Sequence, residues 1–329
     1  MQARKVLEMG GGTLLISLPK QWATKNRVTK GSTVAVDELS ERKLVVQPIG
    51  DVPEKSKEIV VEYPKEDLTY VINDVTGAYL LGYDVIRIQG RKLIGREERS
   101  KMKSTIGRLI GLEIMDEDSK KITLQFLLEP TAVHPERIVR RMGSIIDGML
   151  RDSAEGVSAK DSRILSLVGE RDDEVDRLYF LLVRTIRKAT IDPEVAERYR
   201  LAPVEVLDLR VLASYLESVG DSVSELSRRL CAEPPRKEVA KAFGGCLRKL
   251  IRMQDLALQS FLSRGTSRSR GIYLQVENLA KEISELPVAV AKYPDAKTPG
   301  VIEMLGLTER ISKLFVDISD LAVPSYQFA

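Results

Sequence analysis

The chain has almost none of the residues on which nucleophilic enzymes and disulfide scaffolds depend: two cysteines, Cys231 and Cys246, and one histidine, His134, in 329 residues. Two thiols cannot frame a chain of this length, and they lack the CxxC spacing of a zinc site, so both are expected to be ordinary buried thiols. A Ser-His-Asp or Cys-His mechanism would have to use His134. That residue stands just before Pro135 at an expected helix start, where a capping or surface role suffices, with neither cysteine near it in sequence. Aromatic residues amount to only 5%. No apolar run approaches the roughly 18 residues a membrane span needs. Glu8 and Gly10 to Gly12 also interrupt the start, where a signal peptide would carry its apolar segment. The expectation is a cytoplasmic protein without membrane insertion. Gly10 to Gly12 are followed by no Gly-Lys-Ser/Thr, which argues for a turn between strands rather than a phosphate loop.

What is present is a composition of 43% hydrophobic and 30% charged residues, suited to globular domains with sizeable cores. The net charge of +3 is unevenly spread: the first fifty residues hold eight bases against four acids, a net +4, and the remainder sums to −1. A polyanionic partner would therefore meet the basic head.

The chain divides into three expected domains, 1–49, 50–130 and 131–329. In the first, strands are expected over Lys5–Glu8, Thr13–Leu18, Thr33–Asp37 and Lys43–Gln47, with one helical turn over Gln21–Asn26 after Pro19. So short a β unit buries too little to stand alone, which favours completion by a second copy. The second domain alternates β-α-β-α-β-β: strands over Glu58–Glu62, Asp84–Gln89, Leu112–Met115 and Lys121–Leu128, and helices over Leu68–Gly82 and Glu97–Leu109. This order suggests a small α+β sandwich. Pro53 with the run Glu54–Lys57, and then Glu129-Pro130, punctuate its ends.

From His134 onward six helices are expected: Pro135–Ser153, Ala159–Ala189, Pro203–Leu230, Lys237–Leu262, Arg270–Ala291 and Pro299–Ala322. The third carries Leu212, Leu216, Val219, Val223 and Leu226 at helical spacing, and the sixth carries Met304, Thr308, Ile311, Phe315 and Ile318 in the same register, each 92 residues further on. A constant offset points to two copies of a three-helix unit.

Asp172 and Asp176 lie four apart on the second of these helices, and Glu217 and Asp221 four apart on the third. Each pair projects from one helical face, off the apolar seam. On neighbouring antiparallel helices the two pairs could converge as four oxygen-donor groups for a hard or borderline cation, although a solvated acidic face meets the same spacing. Ser267, Arg268, Ser269 and Arg270 make a small basic cluster at a helix start, a place for a phosphate or an ordinary loop.

Three stretches carry family resemblances. Leu14-Leu15-Ile16-Ser17-Leu18-Pro19-Lys20-Gln21-Trp22, then Val28–Val34 and Leu44–Pro48, resemble the AbrB-like swapped-hairpin DNA-binding domain, in which two chains interleave hairpins into one β-barrel. The resemblance implies DNA binding on one dimer face by Arg4, Lys5, Lys20, Lys25 and Arg27; Arg42 and Lys43 fall in the far hairpin and are left out. Glu170–Asp176 and Leu216–Asp221 hold the D-x-x-x-D and E-x-x-x-D pair of the PhoU family of phosphate-uptake regulators, which resembles residues 131–329 and is built of two three-helix bundles. That resemblance implies a metal, iron or zinc, on Asp172, Asp176, Glu217 and Asp221. In the second repeat Lys313 takes the place of the final Asp and the fifth helix lacks D-x-x-x-D, which argues against a second cluster. The middle segment, with Tyr79–Tyr83 and Arg108–Ile114, is similar to the α+β piece that joins AbrB-like and PhoU-like domains in archaeal regulators.

The combined expectation is a multidomain α+β protein, not an enzyme: a homodimeric or larger DNA-binding regulator of phosphate uptake and homeostasis with a helical metal-binding sensor. One alternative is a PhoU-like adaptor for a phosphate transporter or sensor kinase that uses its head only to dimerise. The other, a metal-dependent hydrolase, lacks an evident general base or substrate loop.

Overall fold

The computed structural model describes residues 3–40, 43–49, 56–129, 133–263 and 267–322, without the side chains of 39, 40, 43 and 267–270. Arg42, Pro53, Glu54, Lys55 and Pro130 lie outside the described residues, as do the side chains of the Ser267–Arg270 cluster. The chain forms two compact units, residues 1–56 and 57–329.

The first unit consists of two antiparallel hairpins, β1 (Val6–Met9) with β2 (Thr13–Ile16) and β3 (Val34–Ser40) with β4 (Lys43–Pro48), and one short helix, α1 (Lys20–Lys25). Gly11 and Gly12, at φ of 94° and 83°, make the first turn. Left-handed backbone is open to glycine without the Cβ clash that other residues meet. Among the described residues of this unit none is buried; Val6, Leu7, Leu14, Ile16, Val36 and Leu44 all expose more than half of their surface. Two hairpins that leave their apolar side chains in water lack a core of their own.

The second unit begins with a four-stranded sheet in the order β5 (Glu58–Tyr63), β6 (Val85–Gly90), β8 (Lys121–Phe126), β7 (Leu112–Glu117), parallel between β5 and β6 and antiparallel elsewhere. Helices α2 (Leu68–Leu80) and α3 (Arg96–Arg108) complete this α+β segment. Its core is filled by Val71, Tyr79, Ile86, Ile88, Met102, Ile122 and Leu124, all within 3% of full burial.

Among the described residues eight helices follow: α4 (Pro135–Ala159), α5 (Ser162–Ile191), α6 (Pro193–Arg198), α7 (Pro203–Ala232), α8 (Lys237–Leu262), α9 (Ser267–Ser284), α10 (Leu286–Val290) and α11 (Pro299–Asp320). The expected single helix over Arg270–Ala291 is thus two. Pro287 has no amide hydrogen for the carbonyl of residue 283, and its ring crowds that position, so the helix stops and restarts. His134 caps α4, its Nδ1 accepting from the Glu136 amide at 3.3 Å. Cys246 is buried, whereas Cys231, expected to be buried as well, is only partly covered near the end of α7.

The helices repeat as α4-α5-α7 and α8-α9-α11. Between α4 and α8 the repeat is visible as a reciprocal contact. A Cβ on Gly143 would collide with the Leu258 side chain, and one on Gly244 would touch Val157 and Ser158. Gly143 and Gly244 are 101 apart, as are Val157 and Leu258, so equivalent positions meet twice, tightly at Gly143 with Leu258 and in ordinary contact at Gly244 with Val157.

Candidate functional site

Along α5 the heptad-like spacing that buries Leu165, Val168, Val175 and Leu182 against α4 and α7 leaves Asp172 and Asp176 beside the packing seam. On α7 the seam of Leu212, Leu216, Val219 and Val223 does the same for Glu217 and Asp221. Because the two helices run antiparallel, the pairs meet. One oxygen each from Asp176, Glu217 and Asp221 lies within 4.8 Å of the others, with Asp176 and Glu217 half-buried and Asp221 exposed.

Asp172 adjoins this trio across Gly220. A Cβ at position 220 would sit 3.0 Å from Asp172 Oδ1 and 3.2 Å from Val175. Glycine there lets α7 approach α5 closely enough for the carboxylates to gather. Asp172 Oδ1 is buried and has no hydrogen-bond partner. Burial raises the Asp172 carboxyl to about 6, with the charges of Asp221 and Asp176 adding to the rise and a hydrogen bond from Ser224 opposing it. Asp176 and Glu217 are also shifted upward, first by burial; Arg108 opposes the shift on Asp176, and Asp221 reinforces that on Glu217.

Cation-to-oxygen distances of roughly 2.0 to 2.6 Å place two oxygens on one ion at separations up to about 5 Å. The trio meets this condition, and the unbonded Asp172 oxygen is a fourth acceptor nearby. An all-carboxylate set is the donor chemistry of hard or borderline cations. Asp176, Glu217 and Asp221 would hold the ion.

One further component has no signal in the sequence. Arg108, the last residue of α3 in the α+β segment, donates from Nη2 to Asp176 Oδ2 at 2.8 Å and lies 3.7 Å from Asp173. Its partner is 68 positions away, beyond any local pattern. In the second repeat Lys313 is exposed and its charge opposes the upward shift of the Asp317 carboxyl. Among the described residues the one group of three or more metal-ligating side chains is that of Asp176, Glu217 and Asp221.

In the head, Arg4 and Lys5 lie just before β1, Lys20 and Lys25 are the first and last residues of α1, and Arg27 follows the helix; all five are exposed. Arg27 adopts a left-handed φ of 54°. It ends α1 with its amide on the Thr24 carbonyl, followed by Val28 on Ala23, the pattern of a helix end that glycine normally occupies.

This part of the chain, an antiparallel helical bundle with an acidic pair on each of two neighbouring helices, includes a stretch that is similar to a known domain. Residues 139–230 match the model of the PhoU domain, a span from α4 to α7 that contains all four carboxylates. The match covers fewer than a third of the chain's residues. Among solved structures, PhoU from Pseudomonas aeruginosa aligns with 57% of this chain and 93% of its own, at 19% identity and a TM-score of 0.47. No curated protein matches the chain. Among the described residues no helix is long and apolar enough to cross a membrane.

Proposed function

We propose that the protein is a cytoplasmic transcriptional regulator that links gene expression to phosphate status, with residues 1–49 binding DNA as a swapped-hairpin dimer and the helical region acting as a cation-dependent sensor. The observation that carries this reading is the coincidence of the PhoU-domain match over 139–230 with the carboxylate cluster inside it, in a chain whose separate basic head has no buried residue among those described. A second copy of the head would cover the apolar hairpin faces and set two copies of Arg4, Lys5, Lys20, Lys25 and Arg27 on one assembly. Two-fold symmetry then calls for a pseudo-palindromic site, with Arg4 better suited than lysine to grip guanine through two hydrogen bonds. The cation, iron or zinc, would sit on Asp176, Glu217 and Asp221 with Asp172 alongside, in the first repeat only. No enzymatic reaction is assigned to the chain.

The exposed apolar hairpins also favour a second reading, in which the head only dimerises the chain and the bundle is an adaptor for a phosphate transporter or sensor kinase. Mapping of bound genomic sites at high and low phosphate, together with heparin retention with and without residues 1–49, separates the two. Site occupancy that changes with phosphate and vanishes with the head supports the regulator; absence of salt-dependent DNA binding at low ionic strength replaces it with the adaptor.

A further inference from the structure

Two arginines tie the α+β segment to α5, and they are built very differently. Arg184 is 2% exposed, donates to the Tyr79 carbonyl at 2.6 Å and lies over the Phe126 ring. Arg108 has half of its side chain in solvent, and its Asp176 partner is 28% exposed. A screened pair of this kind contributes little and exchanges readily, whereas a buried arginine with a backbone acceptor does not. The exchangeable contact falls on a carboxylate of the cluster. Among the described residues Arg108 is the base ion-paired with that cluster, and its guanidinium holds an oxygen of Asp176 that a bound cation would need.

We propose that Arg108 is the built-in counter-cation of the carboxylate cluster, and that a cation bound by Asp176, Glu217 and Asp221 displaces it and unlatches the end of α3 from α5. This rests on the reading of the cluster as a cation site. A divalent ion outcompetes a single guanidinium because it carries twice the charge in a smaller volume and takes oxygens from several carboxylates at once. Once displaced, Arg108 is repelled by the ion. Since Arg184 still anchors α2 and β8, the change is confined to α3 and its neighbours and leaves the two parts docked. Cation occupancy is thereby converted into a change in the α+β segment, which follows the head in the chain.

The test uses the full chain with Mn2+ and Zn2+ as probes, in wild type, Arg108→Gln, and Glu217→Gln with Asp221→Asn. Titration calorimetry should show binding that the double variant loses and that Arg108→Gln tightens by about fivefold or more, as expected when a like charge is removed from a partly screened site. Amide hydrogen exchange over residues 102–108 should quicken in wild type when the cation is added, and should be quick in Arg108→Gln before any is added. Equal or weaker affinity in Arg108→Gln, or exchange in α3 indifferent to the cation, overturns the role of Arg108 while the cation site stands. Failure of wild type and Arg108→Gln alike to bind either ion through the cluster overturns both.

Discussion

The guanidinium carbon of Arg184 lies 3.8 Å from the centroid of the Phe126 ring, joining the C-terminal third of α5 to the end of β8. Phe126 packs against the helical core and the α+β core alike. Arg184 also donates to the Tyr79 carbonyl and lies 3.6 Å from Asp84. Replacing it with alanine removes the buried guanidinium from the Tyr79 carbonyl and from Asp84, which still accept from the Gly82 and Lys57 amides, and should lower stability by about 2 kcal/mol in urea unfolding. Arg184→Lys should recover less than half of that, because an ammonium cannot stack flat on the ring. Equal stability of wild type and Arg184→Ala would show that the anchor is elsewhere.

Gly220 separates the cluster's geometry from the stability of the fold. Gly220→Ala gains roughly 0.5 to 1 kcal/mol of helix preference, which offsets the crowding of Asp172 and Val175. The melting temperature should therefore move little. Cation affinity should fall about tenfold, since a displacement of a few tenths of an ångström spreads the carboxylates. Calorimetric titration beside a thermal scan reads both quantities.

Asp172 predicts a pH dependence. Its folded-state value of about 6 stands above the roughly 3.9 of an unfolded chain. The folded protein therefore holds the extra proton between those values, and stability falls as pH rises through that window. Asp172→Asn removes the penalty, so the cation-free variant should be more stable than wild type by about 1 kcal/mol at pH 7.5, allowing for solvent screening. The gain should disappear below about pH 4. Urea unfolding at the two pH values decides it, and a gain that persists in acid would point to packing instead.

Arg27 tests whether the head keeps an unfavourable backbone for the sake of its charge. Left-handed backbone costs a non-glycine residue roughly 1 kcal/mol. Arg27→Gly should thus leave the head equally or more stable while weakening duplex DNA binding. If about six phosphates are neutralised by the dimer, log affinity should fall with log salt at a slope near −5, flattened by about 0.9 for each phosphate that the variant no longer neutralises. Unchanged affinity and slope in Arg27→Gly would remove Arg27 from the interface.

Much of this molecule is local in origin. Hairpin turns at Gly10 to Gly12, the alternation of strands and helices between Glu58 and Phe126, and the 92-residue register between α7 and α11 all follow from periodicities within a few residues, and these are legible in the sequence. The same periodicity places Asp172 with Asp176 and Glu217 with Asp221. The expected single helix over Arg270–Ala291 misses the break at Pro287, because the hydrophobic spacing across it suggests continuity. What tertiary structure alone decided is which pairs meet and what else reaches them. The close approach at Gly220 sets the spacing of the carboxylates, and the docking of α3 and α2 on α5 brings Arg108 to Asp176 and Arg184 to Tyr79 across 68 and 105 residues. No spacing of residue types in the sequence pairs these positions. These contacts arise when two separately built cores pack together, and nothing in the residues flanking Arg108 distinguishes it from any other base at the end of an amphipathic helix.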